Sequence, residues 1–447
     1  MTQYKQMAAA IAIATLAANI AWAAVPADEA AQLKSTLTPL GAEKAGNKEG
    51  TIPAWTGAYS AALPGAGNGK YPDPFAAEKP VLQITAQNMS QHAGKLTEGT
   101  MALLRRYPSF RLDVYPTHRT AGAPQWVYDN TFKAATTARL TDNGLSFEGA
   151  WGGVPFPIPK NGNEVMMNHL VHPTPVAFDS VSRNFVGTSD GKYSMVSKTQ
   201  LANLSSYWQK DGNADKYGKV YRYVRLETVA PTFKAGEAVV SHGSLDVSQE
   251  PPAWQYLVGQ RRVRRAPTIG YDTPDFIASG ANYFDEVYGF MGRLDRYNWK
   301  LVGKQEIYVP YNNNRFFAAG EEKAIVPFHT NPDAVRWELH RVWVVEATLA
   351  QGKRHAVPKR RLYIDEDSWG VLTMDGYDAE GKLWRVSHVM NQVVPEAGGA
   401  LDSSCSVVYN LQANSMSVIQ YMDSLKLVTP RPVSYFTGDA LSNAGAR

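Results

Sequence analysis

The side chains best placed to do chemistry in this sequence are aromatic, and the chemistry they suggest is binding rather than bond-breaking. Trp254, Trp337, Trp343 and Trp384 all fall in segments that read as β-strands. Sheet cores are usually built from Val, Ile and Leu, with Trp where its N–H finds a partner. Together with Tyr256 and Leu339, these tryptophans mark a sheet face that could line an apolar groove for a lipid-like ligand. Plain core packing is the competing reading, because apolar strand faces are usually just buried. The sharpest charge feature is Arg261-Arg262-Val263-Arg264-Arg265. In strand alternation Arg262 and Arg264 share one face, either guarding a sheet edge against pairing or meeting anionic head groups or an acidic partner.

Other chemistry-bearing residues are weaker candidates. His169 and His172 stand three apart on an expected helix and could face one cation, but no Glu, Asp or Cys lies near enough in sequence to complete a metal site. Asp365, Asp367 and Gly370 partly match a calcium loop that lacks its closing Glu, and read better as a tight turn. The single cysteine, Cys405, sits between Ser404 and Ser406 and reads as an inert buried thiol. The run Gly65-Ala66-Gly67-Asn68-Gly69-Lys70 lacks the spacer and the Ser/Thr of a phosphate loop and reads as a flexible turn. There is no H-E-x-x-H or C-x-x-C pattern. The sequence therefore assigns no catalytic residue, no metal ligand and no cofactor. A spatially assembled hydrolase site for an ester or glycan remains the alternative.

The elements that must position these residues are mainly strands. Alternation is clear over 336–349, and 359–390 reads as a meander of three strands at 360–364, 370–378 and 382–390. Further strands are expected at 219–229 and 254–263. Helices are expected at 97–107 and 163–172, each ended by a proline, and at 273–288, opened by Pro274 and Asp275. With no alternation of strand and helix, the class is mainly antiparallel β with helices, in a single domain over 24–447. Residues 24–80, rich in Gly and Pro, read as an extended arm over that body, anchored by Trp55, Tyr71 and Phe75.

Residues 1–23 read as a cleavable export signal. Lys5 precedes an apolar run from Met7 to Ala23, and Ala21-Trp22-Ala23 places the cut between Ala23 and Ala24. The run is shorter than a bilayer-spanning helix requires. One cysteine allows no intramolecular disulfide. The net charge of +4, from 45 basic and 41 acidic residues, is too balanced for nucleic-acid binding.

Several separated blocks carry a family resemblance: LTPLGAEKAGNKEGTIPAWTG (37–57), YPDPFAAEKPVLQITAQNM (71–89), RRYPSFRLDVYPTHRTA (105–121), PQWVYDNT (124–131), GVPFPIPKNGNEVMMNHL (153–170), RRAPTIGYDTPDFIASG (264–280), LDRYNWKLVGKQEIYVPYNNN (294–314) and YDAEGKLWRVSH (377–388). The sequence resembles the bacterial family called domain of unknown function 1329. That resemblance implies a fold like the LolA/LolB periplasmic lipoprotein carriers, an unclosed β-barrel with helices in its concave side. It also implies a periplasmic location, and partners among transporters of the resistance-nodulation-division type and outer-membrane proteins. The expected function is a soluble periplasmic carrier of a lipid or other hydrophobic molecule, with hinges near Gly280 and Gly289-Phe290. A non-catalytic outer-membrane docking or assembly protein is a further alternative.

Overall fold

The computed structural model describes residues 24–445, so the expected export signal lies outside the described residues. Its main feature is a 15-stranded sheet. In chain order the strands are β1 (Leu82–Ile84), β2 (Leu112–Val114), β3 (Ala177–Gly187), β4 (Tyr193–Leu204), β5 (Val220–Ala230), β6 (Ala238–Ser244), β7 (Ala253–Leu257), β8 (Arg262–Arg265), β9 (Tyr297–Pro310), β10 (Trp337–Leu349), β11 (Lys359–Asp365), β12 (Val371–Tyr377), β13 (Leu383–Val393), β14 (Leu401–Asn410) and β15 (Ser415–Leu427). The strands lie in the order β1-β2-β10-β11-β12-β13-β14-β15-β3-β4-β5-β6-β7-β8, and β9 pairs with the free side of β10. All pairings are antiparallel apart from one parallel contact between Trp337 and Val114. Among the described residues β8 and β9 do not pair with each other, so the sheet is unclosed. The expected antiparallel class and the expected meander are both present.

Period-two alternation explains how the sheet is covered. On β3–β6, Phe178, Leu201, Leu226 and Val239 point to one side, beneath Ile269, Ile277 and Phe284 of the irregular segment 266–294. Ala202, Leu204, Tyr223 and Val240 point to the other side, beneath Phe436 and Leu441 near the C-terminus. On β10–β12 both faces are buried as well. Val345, Ala347, Leu362, Ile364 and Val371 pack with Phe290 and with Val165, Met166 and Met167. Val342, Val344, Tyr363 and Leu372 pack with Ile307, Val309 and Tyr311 on the opposite face.

The longer helices are α1 (Glu98–Arg106), α2 (Gln125–Thr137), α3 (Gly162–Leu170) and α4 (Gly438–Gly445). In α1 the Thr97 hydroxyl accepts the Thr100 N–H at 3.0 Å. In α3 the Asn161 side chain does the same for the Glu164 N–H at 3.0 Å. Each cap satisfies a donor that the first turn would leave orphaned. The sequence reading missed α2, because its Tyr, Asn and Thr residues are poor helix formers. Burial of Val127, Thr131, Ala134 and Ala135 overrides that weak propensity.

Two expected elements are corrected. Residues 273–288 form no long helix. Ser279 and Gly280 both have positive φ, at 55° and 78°, and Gly280 N–H returns to the Asp275 carbonyl at 2.7 Å, so the chain reverses there. Only Phe284–Glu286 makes a short helical turn. The strand expected at 254–263 is instead the hairpin β7–β8, broken where Arg261 turns with φ 48°.

Residues 24–80 carry a short helix at Ala27–Ala30 continued by a helical turn at Ala31–Lys34, and otherwise turns and isolated bridges. The Trp55 indole donates to the Ala121 carbonyl at 3.0 Å, and Phe75 stacks on His118 at 3.9 Å between ring centroids. Tyr71 packs against the cluster beneath segment 266–294. At Gly41, with φ 103°, a Cβ would stand 2.0 Å from the Pro157 carbonyl oxygen, so only glycine allows this close approach of the arm.

Candidate ligand cavity

Where β3–β7 face α3 and segment 266–294, packing is incomplete and leaves a cavity of about 160 Å³. Its walls are mostly apolar: Leu201, Val224, Leu226 and Val239 from the sheet, with Ile277 and Phe284 from the covering segment. Natural cores rarely leave a gap much larger than a water molecule, so a void this size is a feature to be explained.

The covering segment is fastened at one end. Asp285 takes Arg360 at 2.9 Å and His355 at 2.8 Å, while Arg385 makes a two-point contact with Glu286 at 2.7 and 2.6 Å. Burial would raise the Asp285 carboxyl, but the Arg360 guanidinium and the hydrogen bond from His355 hold it below its ordinary value. Gly289 sits directly on Val371 and Val389. From α3, His169 donates through Nε2 to the Phe290 carbonyl at 2.9 Å, and its Nδ1 accepts the Val371 N–H at 3.3 Å. Burial lowers the pKa of His169, and burial with the neighbouring His169 pushes His172 down to about 3. His169 is therefore a neutral staple between helix, cover and sheet, while the His172 ring bonds back to the His169 carbonyl of α3 at 2.6 Å.

At one place the cavity wall is polar. Arg222 projects on the same face of β5 as Val224 and Leu226, and all three line the cavity. Its Nε donates to the Asn203 side-chain oxygen at 2.7 Å, and one terminal nitrogen donates to the Tyr288 hydroxyl at 3.1 Å. The Gln420 side-chain N–H reaches the same hydroxyl at 3.4 Å. Asp275 also lines the cavity. It accepts from the Ile277 N–H at 2.9 Å and from Asn282 at 3.2 Å, and burial pushes its pKa up to about 6.

None of the sequence-predicted groove residues lines this cavity. Trp254 and Tyr256 point to the opposite face of β7, toward the C-terminal segment, with the Arg265 guanidinium 5.1 Å from the Trp254 ring. Trp337 and Leu339 are buried with Phe110, Val386 and Tyr409. Trp343 is half-buried, with the Lys304 ammonium 4.6 Å above it and Trp369 parallel at 6.1 Å. Trp384 donates to the Asn410 side chain at 2.9 Å. Arg262 and Arg264 are exposed on β8, the terminal strand. Period-two reading pairs residues on a face but does not say which face is covered. On β7 it is Ala253, not Trp254, that meets the cavity. One signal for this lining was present: Arg222 is a charge two residues before the same-face apolar pair Val224 and Leu226.

Among the described residues, one group could bring ligand atoms to a single cation: His340, Asp365 and Asp367, within 4.8 Å of one another. The group is already engaged. Arg119 binds both oxygens of Asp367, at 2.8 and 2.7 Å. Asp365 accepts the Tyr311 hydroxyl at 2.8 Å and the Ser368 hydroxyl at 2.7 Å. Arg119 also donates to the Glu43 carbonyl at 2.7 Å and Arg341 to the Ala45 carbonyl at 2.6 Å, so the network holds the arm against the sheet.

The family model described as protein of unknown function (DUF1329) matches residues 83–442. An uncharacterized protein of Pseudomonas aeruginosa is 41% identical over 386 residues, covering 84% of each chain. Solved structures that are similar include a domain from Vibrio parahaemolyticus described as an outer membrane lipoprotein-sorting protein, at 13% identity and a TM-score of 0.44, covering 62% of this chain and 97% of that one. A DUF1329 family protein from Desulfovibrio piger matches at 15% and 0.41, covering 62% and 95%. A LolA superfamily protein from Nitrosomonas europaea matches at 12% and 0.38, covering 63% and 100%.

Proposed function

The chain belongs to the DUF1329 family, and from that premise we propose that it is a periplasmic carrier that holds a hydrophobic molecule in the cavity between β3–β7 and segment 266–294. The observation that carries this reading is the apolar void itself, walled by Leu201, Leu226, Val239, Ile277 and Phe284. Burying roughly 300 Å² of ligand apolar surface is worth about 7 kcal/mol before the entropy of association is subtracted. A cavity already formed keeps that subtraction small.

The location rests on the export-signal pattern of residues 1–23. No helix among the described residues is long and apolar enough to cross a membrane. In this reading the cargo passes between an inner-membrane transporter of the resistance-nodulation-division type and an outer-membrane protein. The exposed Arg262 and Arg264 offer a contact for an acidic partner or head group. Loading opens the cover through residues 266–283, where Gly280 turns, while the ion pairs at Asp285 and Glu286 keep the far end fixed.

The test is native mass spectrometry of the mature protein purified from its own periplasm, followed by organic extraction. A stoichiometric, displaceable apolar molecule is expected. A ligand-free mass, with no change in Trp fluorescence on adding fatty acids, phospholipids or sterols, would overturn the reading.

A further inference from the structure

The cavity is not uniformly greasy: it contains a cation with no counter-ion. The Arg222 guanidinium is bonded to neutral partners alone, Asn203 and Tyr288, and has no ion pair among the described residues. The carboxylate of Asp402, which feels the Arg222 charge, is taken by Ser404 and by Gln392, the latter at 2.8 Å. Arg360 and Arg385, which anchor the covering segment, each face a carboxylate, and Arg293, which also lines the cavity, is bonded to the backbone carbonyls of Val247 and Asp246. Arg222 is half-buried, and a cation at an apolar wall with no anion in ion-pair reach is a ready contact for one brought by a ligand.

The groups around Arg222 are arranged to donate. The Tyr288 hydroxyl receives hydrogen bonds from Arg222 and from Gln420, so its own proton is free to point at a third acceptor. The Tyr288 ring lies 4.5 Å from the guanidinium and fixes its plane. Asn203 holds the Nε edge, leaving the terminal nitrogens toward the cavity. Two of the backbones that present these donors sit in the left-handed region: Tyr288 has φ 59° and Gln420 has φ 57°. Non-glycine residues held there cluster where geometry serves a ligand. Gln420 lies at an irregularity in the β15–β3 pairing, and Tyr288 is pinned by its N–H to the Ser406 hydroxyl at 2.9 Å and by Gly289 against Val371.

We infer that Arg222, Tyr288 and Gln420 form a head-group subsite, and that the cargo is an amphiphile with one apolar tail and a compact oxyanion head, a fatty acid being the simplest member. The inference rests on the carrier reading above and gives it a substrate class. The 160 Å³ cavity is comparable to the roughly 150 Å³ apolar cavities that admit one benzene-sized guest, so it seats the head-proximal part of one tail and not two. The fork of a guanidinium with a phenol beside it suits a carboxylate or a phosphate oxygen pair.

The experiment is isothermal titration of the delipidated mature protein with oleate, methyl oleate and oleoyl lysophosphatidate. Oleate is expected to bind about tenfold more tightly than its ester, the size of one charge-assisted contact. Arg222→Met should remove that preference and leave ester binding within twofold, and Tyr288→Phe should weaken oleate about threefold. Thermal unfolding checks the fold of each variant; if Arg222→Met does not fold, Tyr288→Phe and Arg222→Lys decide. Whichever of oleate and lysophosphatidate binds more tightly identifies the head as carboxylate or phosphate. Equal binding of acid and ester by the unaltered protein, or equal loss of both in Arg222→Met, would overturn the subsite while leaving the carrier. If no probe binds, the subsite and the carrier reading fall together.

Discussion

Along β10 and in the turn after β11 the buried Glu338, Glu366 and Asp367 have cations against them, whereas at the cavity beside β3–β7 the buried Asp275 and the half-buried Arg222 each make no ion pair. In the first region Asp367, Glu366 and Glu338 meet Arg119, Arg341 and Arg336, and the strands are packed on both faces. In the second, Asp275 is held only by neutral donors and Arg222 only by neutral acceptors, at the wall of a void. The contrast is therefore between the ion-paired side of β10 and the cavity wall; Asp375 on β12, completely buried and without an ion pair, belongs to neither.

The largest effect should come from breaking the paired region. Arg119→Met removes the partner of a fully buried Asp367 and releases the arm from the Glu43 carbonyl. Leaving a buried charge unpaired costs about 3–5 kcal/mol. Denaturant unfolding should show that loss, with the oleate affinity of the folded protein unchanged. A loss below about 1 kcal/mol would mean the network is not what fixes the arm.

Asp275 tests the other side of the comparison. Its pKa is raised from 3.8 to about 6 by burial, with no ion pair to oppose it. The folded state therefore holds this proton more tightly than the unfolded chain does. The penalty is absent below the unfolded pKa, grows as pH rises through about 6, and is complete above it. Two units correspond to about 3 kcal/mol. Asp275→Asn should accordingly raise stability at pH 7.5 by up to that amount and flatten the stability profile between pH 4 and 6. In the Asp275→Asn protein the side chain can also donate to Asn282 Oδ1, which is buried without a partner. An unchanged profile would show that a cation reaches Asp275 in solution.

How much of this was legible in the sequence follows from what each signal is local to. The strands at β10–β13 and the proline-ended helices α1 and α3 were readable because alternation and helix termination are decided within a few residues. The cavity was not, because it arises where β5 meets segment 266–294, a long-range match. The tryptophans drew attention by size, yet large rings fill cores, and the cavity wall on β7 is Ala253. Tyr288 and Gln420 carried no sequence signal at all, since their positive φ comes from a turn and an irregular pairing built elsewhere. Arg222 alone was exposed to inspection, as a charge two residues before the same-face apolar pair Val224 and Leu226.

The smallest expected effect is also the one that most sharpens the contrast, because the same substitution is made in both regions. Val344 is completely buried between packed neighbours, so Val344→Phe must displace them and should cost about 1–3 kcal/mol. Val239 lines the void, so Val239→Phe places the added ring into empty space and should change stability by less than about 1 kcal/mol. The ring then occupies the volume intended for a tail, and oleate binding should fall at least tenfold. Stability and binding are therefore expected to move in opposite order for the two variants, measured by thermal unfolding and titration on the same preparations. If Val239→Phe destabilised the protein as much as Val344→Phe, the space beside β6 would already be filled by its own neighbours. If it kept full oleate binding, the tail would lie elsewhere on the sheet.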